Sequence, residues 1–251
     1  MTNDKTIERL AQNLKGRRVL LITTSNRWSE SKDVPKSSQL AEELARRLYD
    51  DSSDSTLCTV IDAAKLKIYP CEGNVSTING NTCGVAEALL TDTTKNPSGH
   101  HRCWASINNA DDELWKLSGP LLEADVILFF VSVRWGQTNA IYQKLIERLN
   151  WLENRWTTLN ESNILKGKDA GIVLVGHNWN GENILNTQKQ VLSYYGFNVP
   201  VSYSFNWQWT SDSSDESEEG YRKDPKDFAT DFALGPKWLS ESFKQWFNKK
   251  Q

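Results

Sequence analysis

The apolar positions of this chain fall into two periods that alternate along its length. Short continuous runs, rich in β-branched and aromatic side chains, occur at Arg17–Thr23, Leu57–Ile61, Val126–Val131 and Ala170–Gly176. Runs of this kind, bounded by polar turns, read as strands buried on both faces of a parallel sheet. A fifth strand is expected over Gly196–Phe205. Between these runs the spacing becomes helical. Thr6–Leu14 carries Ile7, Leu10 and Leu14 on one side, and Ser38–Tyr49 carries Leu40, Leu44 and Leu48. Asp111–Leu122 carries Leu114, Leu117 and Leu121. From Ala140 onward Ile141, Tyr142, Leu145, Ile146, Leu149 and Leu152 share a face, in a helix expected to run on through Trp151 and Trp156. Another helix follows the fourth strand through Leu185, Val191, Leu192 and Tyr195. Strand, loop and helix in repeated order predict an α/β domain, doubly wound around five parallel strands.

In open α/β sheets, ligands bind beyond the carboxyl ends of the strands, so the loops there are the candidate site. The first, from Thr24 through Ser31 to Lys36-Ser37-Ser38-Gln39, gathers hydroxyls ahead of a helix. Hydroxyls, unsatisfied N–H groups and a helix dipole suit a phosphate dianion. Ser37 or Ser38 suits equally a plain helix cap. Neither a Gly-rich dinucleotide fingerprint nor a Walker motif is present. The second loop is Ser132–Asn139, with Arg134, Trp135, Gly136 and Gln137 at its centre, and the third is His177–Asn183. Every α/β protein has such loops, and the pattern alone leaves open whether these bind anything.

Two stretches break the rhythm. About 66–105 has no strong period and reads as an insertion after the second strand. About 206–251 reads as an extension, with an acidic, Ser-rich loop at 211–219 and a helical segment over Asp227–Asn248 broken at Gly235-Pro236. A length of 251 residues makes one domain, 1–251 with its core at 17–205, the natural division.

Composition narrows the partners. A formal charge of −3 and a pI near 5.7 argue against nucleic acid or an anionic membrane as the main partner. No apolar run approaches the roughly 20 residues that span a bilayer. Met1–Thr6 lacks the features of a signal peptide, and four irregularly spaced cysteines suggest free thiols, so a cytoplasmic protein is expected. Three of the eleven tryptophans, Trp28, Trp135 and Trp179, lie in the strand-end loops, where flat aromatics suit a planar ligand as well as they suit a core. His100, His101 and Cys103 are neighbours, but adjacent residues aim poorly at one ion, and no metal is expected.

The residues Ala124-Asp125-Val126-Ile127, Ser132-Val133-Arg134-Trp135-Gly136 and Ile146-Glu147-Arg148 resemble, in order and spacing, a segment of the NADPH-dependent FMN reductase family, a branch of the flavodoxin-like superfamily. Val133 stands where that family usually has Pro, and Arg134 where it often has Tyr. The first loop resembles the family's phosphate loop, with Ser25 and Arg27 matching its first half and Ser37, Ser38 and Gln39 its second. Leu165-Lys166-Gly167-Lys168 and the strand and loop after it resemble the segment beside the flavin ring, with His177 and Trp179 bulkier than is usual there. The related iron–sulfur flavoproteins carry a cysteine motif where this chain has the insertion. Cys71 matches it, but Asn74 and Thr77 do not, and Cys83 and Cys103 do not rebuild it.

The resemblance implies a flavodoxin-like sheet of order 2-1-3-4-5 with FMN at its switch point and NADPH or NADH as reductant. It implies phosphate contacts from Ser25, Arg27, Ser37, Ser38 and Gln39. Ring contacts would come from Ser132, Val133, Arg134, Trp135, Gly136 and Gln137 on one edge and from Gly176, His177, Trp179 and Gly181 on the other. Hydride would pass through the flavin to a small-molecule acceptor such as a quinone, a nitro or azo compound, or free flavin, in a homodimer. No catalytic acid or base stands out. The alternatives are a non-catalytic electron carrier, a flavin-binding regulatory protein, or a fold that has lost FMN.

Overall fold

The computed structural model describes residues 5–25, 34–50, 57–73, 83, 103–157, 160–176 and 180–208. Arg27, Trp28, His100, His101, His177, Trp179, the 211–219 loop and the expected C-terminal helix lie outside them, as do 74–82 and 84–102 of the expected insertion.

Among the described residues six strands form the sheet: β1 Arg18–Thr23, β2 Leu57–Asp62, β3 Val126–Arg134, β4 Gln137–Thr138, β5 Asp169–Gly176 and β6 Phe205–Gln208. The order is β2-β1-β3-β5-β6, with β4 hydrogen-bonded to β3 alone. The neighbours along this path are parallel. Leaving β4 aside, this is the 2-1-3-4-5 order expected from the sequence. Around the sheet lie α1 Lys5–Asn13, α2 Lys36–Asp50, α3 Trp104–Asn108, α4 Trp115–Glu123, α5 Ala140–Arg148, α6 Asn150–Thr157 and α7 Gly181–Tyr195.

Alternation along each strand divides the core into two layers. Ile127, Phe129 and Val131 of β3, with Ile172 and Leu174 of β5, meet Leu117, Leu121, Leu145, Leu149, Ile184 and Leu192 from α4, α5 and α7 and the turn after α5. Val126, Leu128 and Phe130, with Val173 and Val175, meet Leu40, Leu44 and Leu48 of α2 and Ile7, Leu10 and Leu14 from α1 and its end. Buried on both faces over Val126–Val131, β3 needs apolar side chains at each of those positions, which is why that run shows no alternation.

The two ends of the sheet differ in chemistry. At the amino ends Arg17 pairs with Asp169 at 2.5 Å, and Arg18 with Asp125 at 2.6 Å. The hydrogen bonds from Arg18 hold the Asp125 carboxyl down at about 2. At the carboxyl ends the buried polar groups are neutral: Thr24, Ser25, Ser37, Ser132 and Asn139.

Three elements differ from the sequence expectation. The central strand does not stop at Val131 but continues to Arg134 and turns back on itself, pairing Val133 with Thr138 and Arg134 with Gln137. The turn is the two-residue Trp135-Gly136, both with positive φ (50° and 68°), as in a type I′ hairpin.

The fifth parallel strand is not at Gly196–Phe205 but at Phe205–Gln208. Gly196 ends α7 in the left-handed region, Pro200 carries no N–H for a ladder, and Val201–Tyr203 forms a 3₁₀ turn. The long helix expected from Ala140 is two helices, broken at Leu149, whose N–H is shared between the Leu145 and Ile146 carbonyls.

Candidate active site at the carboxyl edge of the sheet

Parallel β1 and β3 end side by side, which brings the first two predicted loops together. Ser25, following β1, donates to the Ser132 hydroxyl at 2.7 Å. Ser37, in the first turn of α2, donates to Ser25 at 2.8 Å. Asn139 Nδ2 reaches Thr24 Oγ1 at 3.1 Å and Ser132 Oγ at 3.3 Å. Its Oδ1 meanwhile accepts the Tyr142 N–H at 3.0 Å, capping α5. The Thr24 hydroxyl donates to the Phe130 carbonyl at 3.2 Å. A relay of neutral donors thus runs from α2 across β1 to β3. Ser132 receives from two sides, so its own hydroxyl hydrogen points onward, in this direction of donation, to whatever occupies the edge.

Ser38 is 8 % exposed and makes no side-chain hydrogen bond among the described residues. The N–H groups of a helix's first turn have no intrahelical acceptor, and at α2 they begin beside these hydroxyls. Gln39 does not join the group: its amide turns back to the Val34 carbonyl at 2.9 Å and is exposed.

The third loop joins through backbone and glycine. Asn180, in the left-handed region (φ 60°) just before α7, donates to the Gly136 carbonyl at 2.8 Å, which ties the hairpin to the start of α7. A Cβ on Gly176 would lie 2.7 Å from that of Val133, and one on Gly181 would lie 2.4 Å from the Asn206 amide nitrogen. Both glycines are therefore positions where the loops close upon β3 and β6.

Arg134, Trp135 and Gln137 stand on the exposed hairpin, Trp135 at 85 % exposure, while Gly136 is buried. The Arg134 side chain has no ion pair or hydrogen bond among the described residues. Of the residues picked out in the sequence, Ser25, Ser37 and Ser132 are joined directly, Ser38 lies beside them, and Val133, Gly136, Gly176 and Gly181 frame the edge.

The arrangement also uses Thr24 and Asn139, which the sequence places at the ends of the candidate loops without singling them out as site residues. Asn139 was findable, because an Asn directly before the first periodic apolar residue is a helix-cap signal. Thr24 carried no signal beyond adjacency to Ser25.

As a donor set, this edge fits the phosphate end of a nucleotide-like ligand: buried neutral hydroxyls in a chain, a serine with no side-chain bond among the described residues and a helix start. Among the described residues no group of three or more His, Cys, Asp or Glu side chains could hold a metal ion. No helix among them is long and apolar enough to cross a membrane.

No protein-family model matches the sequence, and no curated protein matches it. Solved structures do. RosB with a bound intermediate, 8-demethyl-8-formylriboflavin-5′-phosphate, is 14 % identical, with 90 % of this chain and 87 % of that one covered and a TM-score of 0.52. An azoreductase from Bacillus anthracis is 14 % identical over 82 % of this chain and 93 % of that one, at a TM-score of 0.45. The apo NADH:FMN oxidoreductase EMOB is 11 % identical over 82 % and 83 %, at 0.46. With the strand order observed here, the likeness to RosB shows that this chain has a flavodoxin-like fold.

Proposed function

We propose that the chain binds riboflavin 5′-phosphate (FMN) at the carboxyl edge of β1 and β3 and serves as an NAD(P)H-dependent oxidoreductase for a small-molecule acceptor. The observation that carries this reading is the buried hydroxyl relay Ser37–Ser25–Ser132 at the switch point of a flavodoxin-like sheet. The resemblance read from the sequence and the riboflavin phosphate held by RosB support it.

In this reading Ser25, Ser37, Ser38 and the first N–H groups of α2 hold the phosphate, with Arg27 as the added cation. Ser132 and the hairpin from Val133 to Gln137 border the ring on one edge, and Gly176, His177, Trp179 and Gly181 border it on the other. Bound flavin supplies the hydride chemistry, taking two electrons from the nicotinamide and passing them on. The chain orients the ring, keeps Gly136 and Gly176 small enough for close approach, and offers Arg134 as a fixed positive charge. The reading extends to a homodimer in the cytoplasm, with Trp135 the side chain most available to a second subunit.

The test is the visible spectrum of the purified protein, with FMN and then NADPH or NADH added anaerobically. Bound-flavin bands that bleach with the reductant and return with a quinone are expected. Failure to retain or take up any flavin would sink the reading. A second reading follows from the intermediate that RosB holds: the flavin is itself the molecule transformed. Extracting the flavin after turnover separates the two, because a cofactor comes back with its mass unchanged.

A further inference from the structure

Away from the proposed flavin edge, Cys103 lies against a buried arginine and Cys83 lies against Cys103. Arg148, the last residue of α5, is fully buried, as is Asp112 at 5 % exposure. Its guanidinium donates to Asp112 at 2.8 and 2.9 Å, to the Tyr69 carbonyl at 2.7 Å and to Ser106 Oγ at 2.7 Å. The remaining donor, Nε, points at Cys103 Sγ at 3.2 Å. The Cys83 thiol hydrogen-bonds the same sulfur. Cys83 is itself fixed by its backbone N–H, which donates to Asn154 Oδ1 at 3.2 Å. Both sulfurs are buried, at 2 % for Cys103 and 5 % for Cys83. Cys71 is half-buried close by, near enough to act on Cys83 electrostatically.

The fourth thiol serves as an internal control. Cys58 on β2 is also buried, and burial pushes its thiol up to about 11. Cys103 is pushed the other way. The hydrogen bond from Cys83, helped by Arg148, holds it below its ordinary value in spite of burial. The thiolate is the form that attacks oxidants and disulfides. The molecule therefore holds one inert buried thiol and one activated buried thiol with a second sulfur against it.

We propose that Cys103 and Cys83 form a reversible dithiol–disulfide couple, a modification site that responds to peroxide and is distinct from the flavin edge. The Cys103 thiolate attacks one oxygen of hydrogen peroxide. The S–O bond forms, the O–O bond breaks, and the departing hydroxide takes a proton to become water, leaving Cys103 as the sulfenic acid. Cys83 then attacks the Cys103 sulfur. The S–S bond forms, the S–O bond breaks, and hydroxide leaves with the Cys83 proton as a second water. Two thiols are oxidised by two electrons and one peroxide is reduced to two waters. Two equivalents of a small thiol such as glutathione reverse the change by exchange. Oxidation ties residue 83 covalently to the start of α3 and removes the thiolate on which Arg148 Nε rests.

The full chain is treated with graded hydrogen peroxide, quenched by alkylation and mapped by mass spectrometry without reduction. The expected result is a linked Cys83–Cys103 peptide pair and a fall from four alkylatable thiols to two. Dithiothreitol restores all four. In Cys83→Ser the reaction halts at a Cys103 sulfenic acid that dimedone traps, and in Cys103→Ser peroxide leaves Cys83 alkylatable. The wild-type map stands by itself if either variant folds poorly. A bond involving Cys58 or Cys71, a sulfenic acid in the wild type that never resolves, or four unreacted thiols at peroxide levels that oxidise a free thiol would each overturn the proposal.

Discussion

Helix α5 begins and ends on buried polar clusters, and the two are built in opposite ways. At its start Asn139 joins Thr24, Ser25, Ser37 and Ser132, all neutral, in a relay whose last hydroxyl is unspent. At its end Arg148 uses all of its donor groups, against a carboxylate, a hydroxyl, a carbonyl and a sulfur. Asp112 is equally occupied, accepting from Arg148, Ser106 Oγ and the N–H groups of Tyr69 and Leu114. A buried charge is tolerated only when its hydrogen-bonding capacity is filled, so the second cluster is a structural joint. Neutral hydroxyls tolerate a partly filled set, and that leaves them free to turn toward a ligand. Filled capacity marks the fold, and spare capacity marks the site.

The largest effect expected from this contrast is at the filled cluster. Arg148→Met leaves Asp112 buried without its cation and should cost about 3–5 kcal/mol of stability, read as a lowered urea midpoint. The same pair sets a pH limit. Burial raises the Asp112 carboxyl, but the Arg148 hydrogen bond and the neighbouring donors outweigh it, so the folded value lies below the ordinary 3.8. A depressed carboxyl contributes stability that is complete above the unfolded value and lost as pH falls through the folded one. The joint should therefore hold at neutral pH and fail below pH 3.8, and Asp112→Asn should be less stable at neutrality but lack that acid-dependent loss. A midpoint for Arg148→Met within 1 kcal/mol of the wild type would show that the cluster does not hold the fold.

The next effect belongs to the unfilled cluster and has a different signature. Ser25→Ala removes the middle of the relay, and Ser37 can rotate to another acceptor, so stability should fall by only about 1 kcal/mol. A hydrogen bond to a charged phosphate is worth about 1.5–3 kcal/mol, so FMN affinity should drop roughly 10- to 100-fold by fluorescence titration. Unchanged affinity with a large stability loss would place Ser25 with the fold instead.

The same distinction explains what the sequence made legible. Central strands advertise themselves because burial on both faces demands unbroken apolar runs, and β1, β3 and β5 were located from that pattern alone. The β6 position was not, because Val199, Val201 and Tyr203 look like strand residues while Pro200 and the left-handed Gly196 prevent a ladder there. The hairpin after β3 was hidden for a related reason. Its turn places Trp, not Asn or Asp, at a positive-φ position, at a strain of about 1–3 kcal/mol that no propensity rule anticipates. Ser25, Ser37 and Ser132 could be singled out because serines at strand ends are conspicuous. That Arg148 reaches Cys103 and Asp112 could not, since residues 103 and 148 meet only once α3 and α5 are packed.

Ser38 separates spare capacity from mere burial most finely. The residue is nearly buried and its hydroxyl has no hydrogen bond among the described residues, so no side-chain bond of the folded chain depends on it. Ser38→Ala should move the urea midpoint by no more than about 0.5 kcal/mol, since it removes no cap bond and opens no cavity. If the α2 start receives a phosphate, that hydroxyl acquires its acceptor only in the complex, and FMN affinity should weaken several-fold. A loss of stability without a loss of affinity would mean that Ser38 serves the fold and not the ligand. No change in either would mean that the phosphate, if bound, is held by Ser25, Ser37 and the helix N–H groups alone. Because no side-chain bond among the described residues depends on Ser38, any change in affinity reports on the ligand and not on the scaffold.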